Sequence, residues 1–173
     1  MRQPGADPRP STLSVIDFSK PSTQPRLWVF DLASQRLLFE ELVAHGRNTG
    51  HNMATKFSNR SGSKMSSLGL YVTQETYRFS GRSNGRAYTS VGLRMRGESG
   101  AYNSAARRRG IVAHGAPYVT ARDAGRSSGC PAMEQHRAER LLPLIANGGV
   151  VFIYSPRVTS WLSDGPWVSG RAN

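Results

Sequence analysis

The sequence predicts a mainly β domain, of the sandwich or barrel-like kind, with one helix in its last third. Three observations predict it: short apolar segments separated by turns, connections rich in glycine and serine, and one amphipathic segment with start and stop signals. The chain has 173 residues, which suits one domain of ordinary size. Such a chain buries roughly 70% of the surface that its unfolded form exposes, so its core needs neither a metal nor a disulfide.

The predicted strands begin near the N-terminus. Residues 14–18 and 26–32 alternate apolar and polar side chains as half-buried strands do, and residues 36–44 resume the pattern after a turn at Ala33-Ser34-Gln35. The third segment therefore closes a hairpin with the second. Further short strands are predicted at residues 70–73, 88–93, 111–113 and 150–154.

One helix is predicted directly after the only cysteine of the chain. Pro131 suits the first helical position, Glu134 suits the first turn, and Gly148-Gly149 marks the end. Pro143 complicates the last turn, because a proline inside a helix removes a hydrogen-bond donor and can end the helix early.

Composition divides the chain into three parts. Residues 1–12 hold three prolines and little apolar character, which predicts a disordered lead-in. Residues 13–156 carry the predicted domain, and residues 157–173 form a C-terminal tail with Trp161 and Trp167. Within the domain, residues 45–67 are polar and predict a long surface loop. Loops of this length are usually functional or mobile.

Charge and hydropathy narrow the possible partners. The chain has 23 Lys plus Arg against 11 Asp plus Glu, so its formal net charge is +12. Such a surface suits phosphates, acidic glycans or a membrane surface. The aromatic-basic strand or helix motif of a nucleic-acid module is missing, so nucleic acid is not the expected partner. No run approaches the roughly 18 apolar residues of a membrane span, and the first residues resemble no signal peptide.

Cys130 and His114 are the candidates for chemistry. Cys130 follows Gly129 at the predicted helix start, where free amides and the helix dipole would lower the thiol pKa and the consecutive amides could bind an oxyanion. The alternative is a small buried cysteine. His114 ends a strand beside Gly115 and could act as a general base toward a thiol.

The other reactive groups predict no further site. His45, His51 and His136 are expected at the surface or in packing. No histidine pair has metal-ligand spacing, and the sequence lacks a phosphate-binding glycine loop. Neither a metal nor a cofactor is therefore expected.

Three segments in order resemble the catalytic domain of the murein L,D-transpeptidases. Ile111-Val112-Ala113-His114-Gly115 and Ser127-Ser128-Gly129-Cys130 match the family's His-Gly and Ser/Thr-x-Gly-Cys segments. Residues 66–72 resemble its upstream strand with Gly and Tyr or Phe. The likeness extends over residues 15–154, so the resemblance implies an L,D-transpeptidase-like catalytic fold with one helix after the catalytic cysteine.

The resemblance also implies a reaction. Cys130 would attack the carbonyl of the third residue of a tetrapeptide stem and release the terminal D-alanine. His114 would take the thiol proton and return it to the leaving amine. An amine of a second stem would then accept the acyl group as a cross-link; with water as acceptor, the enzyme would be an L,D-carboxypeptidase.

Supporting roles follow from the same resemblance. The Gly115 carbonyl would orient the imidazole, and the amides of Gly129 and Cys130 would hold the oxyanion, with Ser127 and Ser128 bracing the turn. Substrate contacts are expected from the side chains Tyr71, Arg126 and Ser67. We also expect the polar segment 45–67 to cover the stem site. The family works on peptidoglycan, which implies a location in the periplasm or cell envelope.

The Cys130 segment departs from the commonest family pattern. Many members have His before Gly-Cys and Arg or Asn shortly after, whereas this chain has Ser128 before and Pro131-Ala132 after. The chain thus resembles a divergent Gly-Cys-Pro-Ala branch, and the acceptor and the stem contacts stay open. Two further classes compete with the enzyme: a cell-wall-binding module without turnover, and a basic nucleic-acid-binding protein with an incidental cysteine.

Overall fold

The computed structural model describes residues 10–163. Residues 1–9 of the predicted lead-in and residues 164–173 of the predicted tail, with Trp167, lie outside the described residues. The strands are β1 (Thr12–Asp17), β2 (Leu27–Asp31), β3 (Arg36–Glu41), β4 (His45–Gly46), β5 (Gly69–Ser83), β6 (Arg86–Gly97), β7 (Val112–Gly115), β8 (Arg126–Ser127), β9 (Ala132–Met133) and β10 (Val150–Tyr154). The helices are α1 (Gln135–Ile145), the single turn α2 (Ser160–Ser163) and a 3-10 turn at Gly100–Tyr102.

Eight strands form one mixed sheet in the order β3-β2-β1-β10-β5-β6-β7-β9. The pairs β1–β10 and β7–β9 are parallel, and the other neighbours are antiparallel. Strands β4 and β8 form a separate parallel pair. The prediction of a mainly β fold with one helix after Cys130 is confirmed, since α2 is only a single turn.

Helix α1 covers the part of the sheet that carries β6 and β7. Its buried side chains recur at helical spacing and face the sheet: Ala138, Leu141, Leu142 and Ile145. Gly115 lies beneath the helix, where a Cβ atom would come within 2.9 Å of the Ala138 Cβ. The close packing of α1 on β7 therefore fixes the strand that carries His114.

Strands β5 and β6 form a hairpin much longer than their neighbours. In β5 only Gly69–Val72 pair with β10, and in β6 only Gly92–Arg94 pair with β7. Residues 76–91 extend past these neighbouring strands as a two-stranded hairpin, and we call this part the arm. Its tip is Asn84-Gly85, with φ of 48° and 77°, as a two-residue hairpin turn requires. The predicted strands 70–73 and 88–93 are thus parts of two long strands.

The predicted helix start is wrong. Helix α1 begins at Gln135 with Glu134 as N-cap, because Ala132 and Met133 pair instead with His114 and Gly115 in the sheet. Cys130 therefore lies in the connection between β8 and β9 and not at a helix N-terminus. Pro143 lies inside α1, which ends two residues later.

The predicted surface loop 45–67 is partly buried. His45, Thr49 and Ala54 are each at most 1% exposed. Internal hydrogen bonds replace a hydrophobic pattern here: the Ser66 N–H donates to Thr49 Oγ1 at 2.8 Å, and the Gly46 N–H donates to Ser66 Oγ at 3.0 Å. The segment is therefore packed into the domain instead of forming a free surface loop.

Within residues 10–163 the structure has no helix with the length and apolar character of a membrane span.

Candidate active site

A tight turn holds Cys130 in place. Ser127 Oγ donates to the Cys130 carbonyl at 2.6 Å and accepts from the Gly129 N–H at 3.0 Å. Gly129 has φ of +121°, and a Cβ atom there would come within 2.8 Å of the Met65 carbonyl oxygen. Glycine is therefore required at this position by backbone conformation and by space. Ser127 braces the turn by direct contact.

The predicted oxyanion donors are only partly available. The Gly129 N–H donates to Ser127 Oγ, and its role toward an oxyanion stays a prediction. The Cys130 N–H differs, because none of residues 10–163 accepts a hydrogen bond from it. Ser128 is exposed and accepts a hydrogen bond from Arg47 Nη2 at 3.2 Å.

Strand pairing brings His114 beside the cysteine turn. His114 is opposite Ala132 in the parallel pair β7–β9, and its N–H donates to the Pro131 carbonyl at 3.2 Å. Its Nδ1 lies 3.1 Å from the Gly115 carbonyl oxygen. A carbonyl only accepts hydrogen bonds, so Nδ1 carries the hydrogen and Nε2 of the neutral ring keeps a lone pair.

Burial keeps both reactive groups uncharged at rest. It raises the pKa of the Cys130 thiol, and the Val112 N–H and the Arg109 charge oppose this only in part. The S–H donates to the Gly110 carbonyl at 3.7 Å. Burial also lowers the pKa of His114, against the Gly115 carbonyl. The predicted lowering of the thiol pKa is wrong, because Cys130 is away from the helix start and is desolvated.

Aromatic side chains of the arm and of the β7–β8 connection surround these groups. Phe79 and Tyr118 stand edge-on to the His114 ring, with centroid distances of 5.7 Å and 6.4 Å. Tyr88 in turn stands edge-on to Phe79 at 5.9 Å. Burial raises the pKa of Tyr88 and Tyr118, and a negative charge on Cys130 raises it further. The rings therefore form the wall next to the thiol.

These rings are not among the site residues predicted from the sequence. The available signal was the alternation of Tyr77 and Phe79, which places both on one face of a strand. The turn residues Asn84-Gly85 then predict the hairpin that brings Tyr88 opposite Gly81. The signal is weak because the residues between them are polar and exposed.

The predicted substrate contacts of Tyr71 and Ser67 are wrong, because both side chains are buried. Tyr71 has no exposed surface, and Ser67 is 2% exposed. The Tyr71 hydroxyl donates to the Ser67 carbonyl at 2.9 Å, and burial raises its pKa to about 12. Tyr71 and Ser67 therefore belong to the packed interior of the domain.

Arg126 and Arg109 also hold the scaffold together. Arg126 donates from Nε to the Gly50 carbonyl at 3.2 Å and from Nη1 to Ser22 Oγ at 3.1 Å, and its contact with substrate stays a prediction. Arg109 donates to the Met65 carbonyl at 2.6 Å and to the Ser58 carbonyl at 2.8 Å. Arg109 thereby ties the 58–67 segment to the site.

The described part of the chain holds no cluster of three or more His, Cys, Asp or Glu residues placed to bind a metal ion. The groups that the site brings together are a thiol, an imidazole and a backbone amide. That set of groups is typical of nucleophilic acyl transfer.

Comparison with known families decides the identity of the domain. Residues 2–154 match the family model described as the L,D-transpeptidase catalytic domain. The chain belongs to this family. The resemblance inferred from the His-Gly and Gly-Cys segments is confirmed, and so is the expected fold. No curated protein matches this L,D-transpeptidase domain.

Solved L,D-transpeptidases share the fold at low sequence identity. One from Mycobacterium smegmatis is 13% identical with a TM-score of 0.50, and the match covers 83% of this chain and 58% of that one. One from Stackebrandtia nassauensis is 12% identical with a TM-score of 0.51, covering 88% and 60%. One in complex with imipenem is 13% identical with a TM-score of 0.54, covering 83% and 59%. The chain therefore spans about three fifths of the length of these structures.

Proposed function

We propose that this domain is a peptidoglycan L,D-transpeptidase in which Cys130 is the nucleophile and His114 the general base. The observation that carries the proposal is the parallel pairing of β7 with β9. It ties the His114 N–H to the carbonyl of the residue after Cys130. Family membership supports the substrate class, stem peptides of the cell wall.

Acylation begins from a neutral thiol and a neutral imidazole. His114 Nε2 accepts the thiol proton as the Cys130 sulfur attacks the carbonyl carbon of stem residue 3. The new carbon–sulfur bond gives a tetrahedral oxyanion, and the Cys130 N–H is placed to donate to it. Its collapse breaks the amide carbon–nitrogen bond. The imidazolium then protonates the leaving nitrogen, and D-alanine departs with a free amine.

Deacylation repeats the steps with a new amine. An amine of a second stem attacks the thioester and loses a proton to His114. The carbon–sulfur bond breaks, the new amide bond forms, and the thiolate regains its proton. Water in place of this amine gives the L,D-carboxypeptidase alternative.

The substrate fixes where the protein works. Stem peptides lie in the cell envelope, so we place the active domain there, in the periplasm where an outer membrane encloses one. The formal net charge of +12 is suited to an anionic wall polymer.

Product analysis tests the proposal. The domain is incubated with tetrapeptide muropeptides, with and without an added amine acceptor, and D-alanine and cross-linked dimer are measured by liquid chromatography and mass spectrometry. We expect D-alanine and dimer in equal amounts from the wild type and neither from Cys130→Ala. Tripeptide alone would identify the carboxypeptidase. Full activity of folded Cys130→Ala would overturn the proposal.

A further inference from the structure

Arg47 is fixed to the backbone of the cysteine turn. It directly follows β4, whose Gly46 is opposite Ser127 in the parallel pair β4–β8. The Arg47 N–H donates to the Ser127 carbonyl at 2.8 Å. Gly46 also packs closely against residues 64–66, since a Cβ atom there would lie 2.9 Å from the Met65 Cα. The position of the Arg47 backbone relative to Cys130 is thus set by the same turn that holds the nucleophile.

The Arg47 side chain is exposed and has spare donors. Nη2 donates to Ser128 Oγ at 3.2 Å, two residues before Cys130, and Arg47 itself is exposed. Within residues 10–163 no carboxylate forms an ion pair with it. In this it differs from Arg94 and Arg78, which pair with Glu75 and Glu139 at 2.9 Å. An exposed guanidinium next to the nucleophile is free to bind an anion.

Arg47 and His114 are both bonded to the segment around Cys130, since Arg47 Nη2 donates to Ser128 Oγ and the His114 N–H donates to the Pro131 carbonyl. Tyr118 stands edge-on to the His114 ring, at 6.4 Å between centroids. Burial raises the pKa of Tyr118, and the positive charge of Arg47 opposes that rise. Tyr118 therefore has His114 at one edge and the Arg47 charge within electrostatic reach. Arg47 and His114 therefore contact the same short segment, residues 128–131, that carries the nucleophile.

The leaving residue brings an anion to that region. If the reaction is the one proposed above, His114 protonates the nitrogen of the departing D-alanine. The α-carboxylate of that residue is two covalent bonds from the same nitrogen. A guanidinium binds a carboxylate through two parallel N–H donors. We infer that Arg47 binds the α-carboxylate of the leaving residue, so that the enzyme selects stems with a free C-terminus.

This inference rests on the proposed function and adds a specificity to it. A stem whose terminal residue is amidated, or extended through that carboxyl group, lacks the anion that Arg47 binds. It can still present the same scissile bond to Cys130. The enzyme therefore discriminates at the leaving residue, and the effect falls mainly on KM, because the carboxylate is bound before the chemical step.

A matched pair of substrates tests the inference. Tetrapeptide muropeptides with a terminal carboxylate and with a terminal carboxamide are compared for release of the leaving residue. The enzymes are wild type, Arg47→Gln, Arg47→Lys and the control Arg140→Gln, which removes an exposed charge from α1. We expect wild type and Arg140→Gln to prefer the acid by about tenfold to hundredfold in kcat/KM, the effect of one charge-assisted contact.

Arg47→Gln is expected to lose that preference, because its kcat/KM falls on the acid and is unchanged on the amide. Arg47→Lys is expected to have a preference between those of wild type and Arg47→Gln. Thermal melting and alkylation of Cys130 show that each variant is folded. Equal wild-type rates on acid and amide would overturn the inference without reference to any variant, and so would an unchanged acid preference in Arg47→Gln. Wild-type protein inactive on both peptides would overturn the proposed function instead.

Discussion

His45 and His114 differ in how many of their ring nitrogens have hydrogen-bond partners. His45 is fully buried in the 45–67 segment, and both of its nitrogens are occupied. Nδ1 lies 2.9 Å from Arg26 Nη2, and Nε2 lies 3.1 Å from the Gly50 carbonyl oxygen. His114 has its Nδ1 on the Gly115 carbonyl, and its Nε2 contacts no hydrogen-bond partner among residues 10–163.

The difference between them lies in the lone pair. Arg26 donates to His45 Nδ1, so the lone pair of that ring is used inside the scaffold. The lone pair of His114 is on Nε2, because Nδ1 donates to the Gly115 carbonyl. Burial lowers the pKa of both rings, so charge state does not distinguish them. A buried histidine becomes a general base when one nitrogen is held and the other is left free.

Replacing each histidine by asparagine should give the largest difference between the two regions. We expect His114→Asn to lower kcat by about 10²–10⁴, the usual contribution of a general base, while thermal stability changes little because the asparagine amide can replace Nδ1–H as donor to the Gly115 carbonyl. His45→Asn should keep kcat close to wild type and lower the melting temperature. Steady-state D-alanine release and thermal unfolding measure the two effects. Similar kcat values for both variants would contradict the assigned roles.

The pH dependence of stability isolates His45. Burial and the neighbouring Arg26 charge lower its pKa to about 4, so between pH ~6.5 and ~4 the unfolded chain binds a proton that the folded chain does not. Stability is full above this window and falls by about 3 kcal/mol as the pH drops through it. Urea unfolding across this range should show the loss in the wild type and a flatter profile in His45→Asn. Equal slopes in the two proteins would refute the assignment.

Substitutions of the neighbouring residues Ser127 and Ser128 test which hydrogen bonds hold the cysteine turn. Ser127 donates to the Cys130 carbonyl and accepts from the Gly129 N–H, so Ser127→Ala should cost about 2 kcal/mol of unfolding free energy. Ser128→Ala, at an exposed position, should change it by less than about 0.5 kcal/mol. Denaturant midpoints compare the two. A larger loss from Ser128→Ala would show that the turn is held differently.

The smallest expected effect is on the pH dependence of the rate at which Cys130 is alkylated. Because burial raises the thiol pKa, the rate with iodoacetamide should still rise above the pH of about 8.5 at which an ordinary thiol titrates. His114→Asn should leave this profile unchanged, since desolvation sets it. A plateau reached below that pH would indicate a thiolate at rest and would contradict the neutral pair.

Local patterns were enough to predict one side of the sheet. Strands β1, β2 and β3 follow from alternation and a turn, and β10 is predicted over its full length, Val150–Tyr154. Cys130 and His114 were found as candidates by motif and order. Their proximity depends on the parallel pairing of β7 with β9, which joins residues distant in sequence and leaves no local pattern.

The remaining errors have the same physical origin. Residues 132–133 follow a proline and read as the first turn of a helix, but their partners are on β7. Tyr71 lies on a strand that resembles a substrate-binding one, yet its hydroxyl is satisfied inside the core by Ser67. The arm has few apolar residues because much of it faces solvent. Each error required knowledge of a non-local partner.

Intact mass of the acyl-enzyme tests the central claim most directly. Wild type, His114→Asn and Cys130→Ala are mixed with a tetrapeptide stem, quenched in acid and weighed, and the modified residue is located by peptide mapping. We expect the wild type to gain the mass of the tripeptide acyl group on Cys130, His114→Asn to gain it slowly, and Cys130→Ala to gain nothing. Release of D-alanine by the wild type without an adduct on Cys130, or with the adduct elsewhere, would contradict the account.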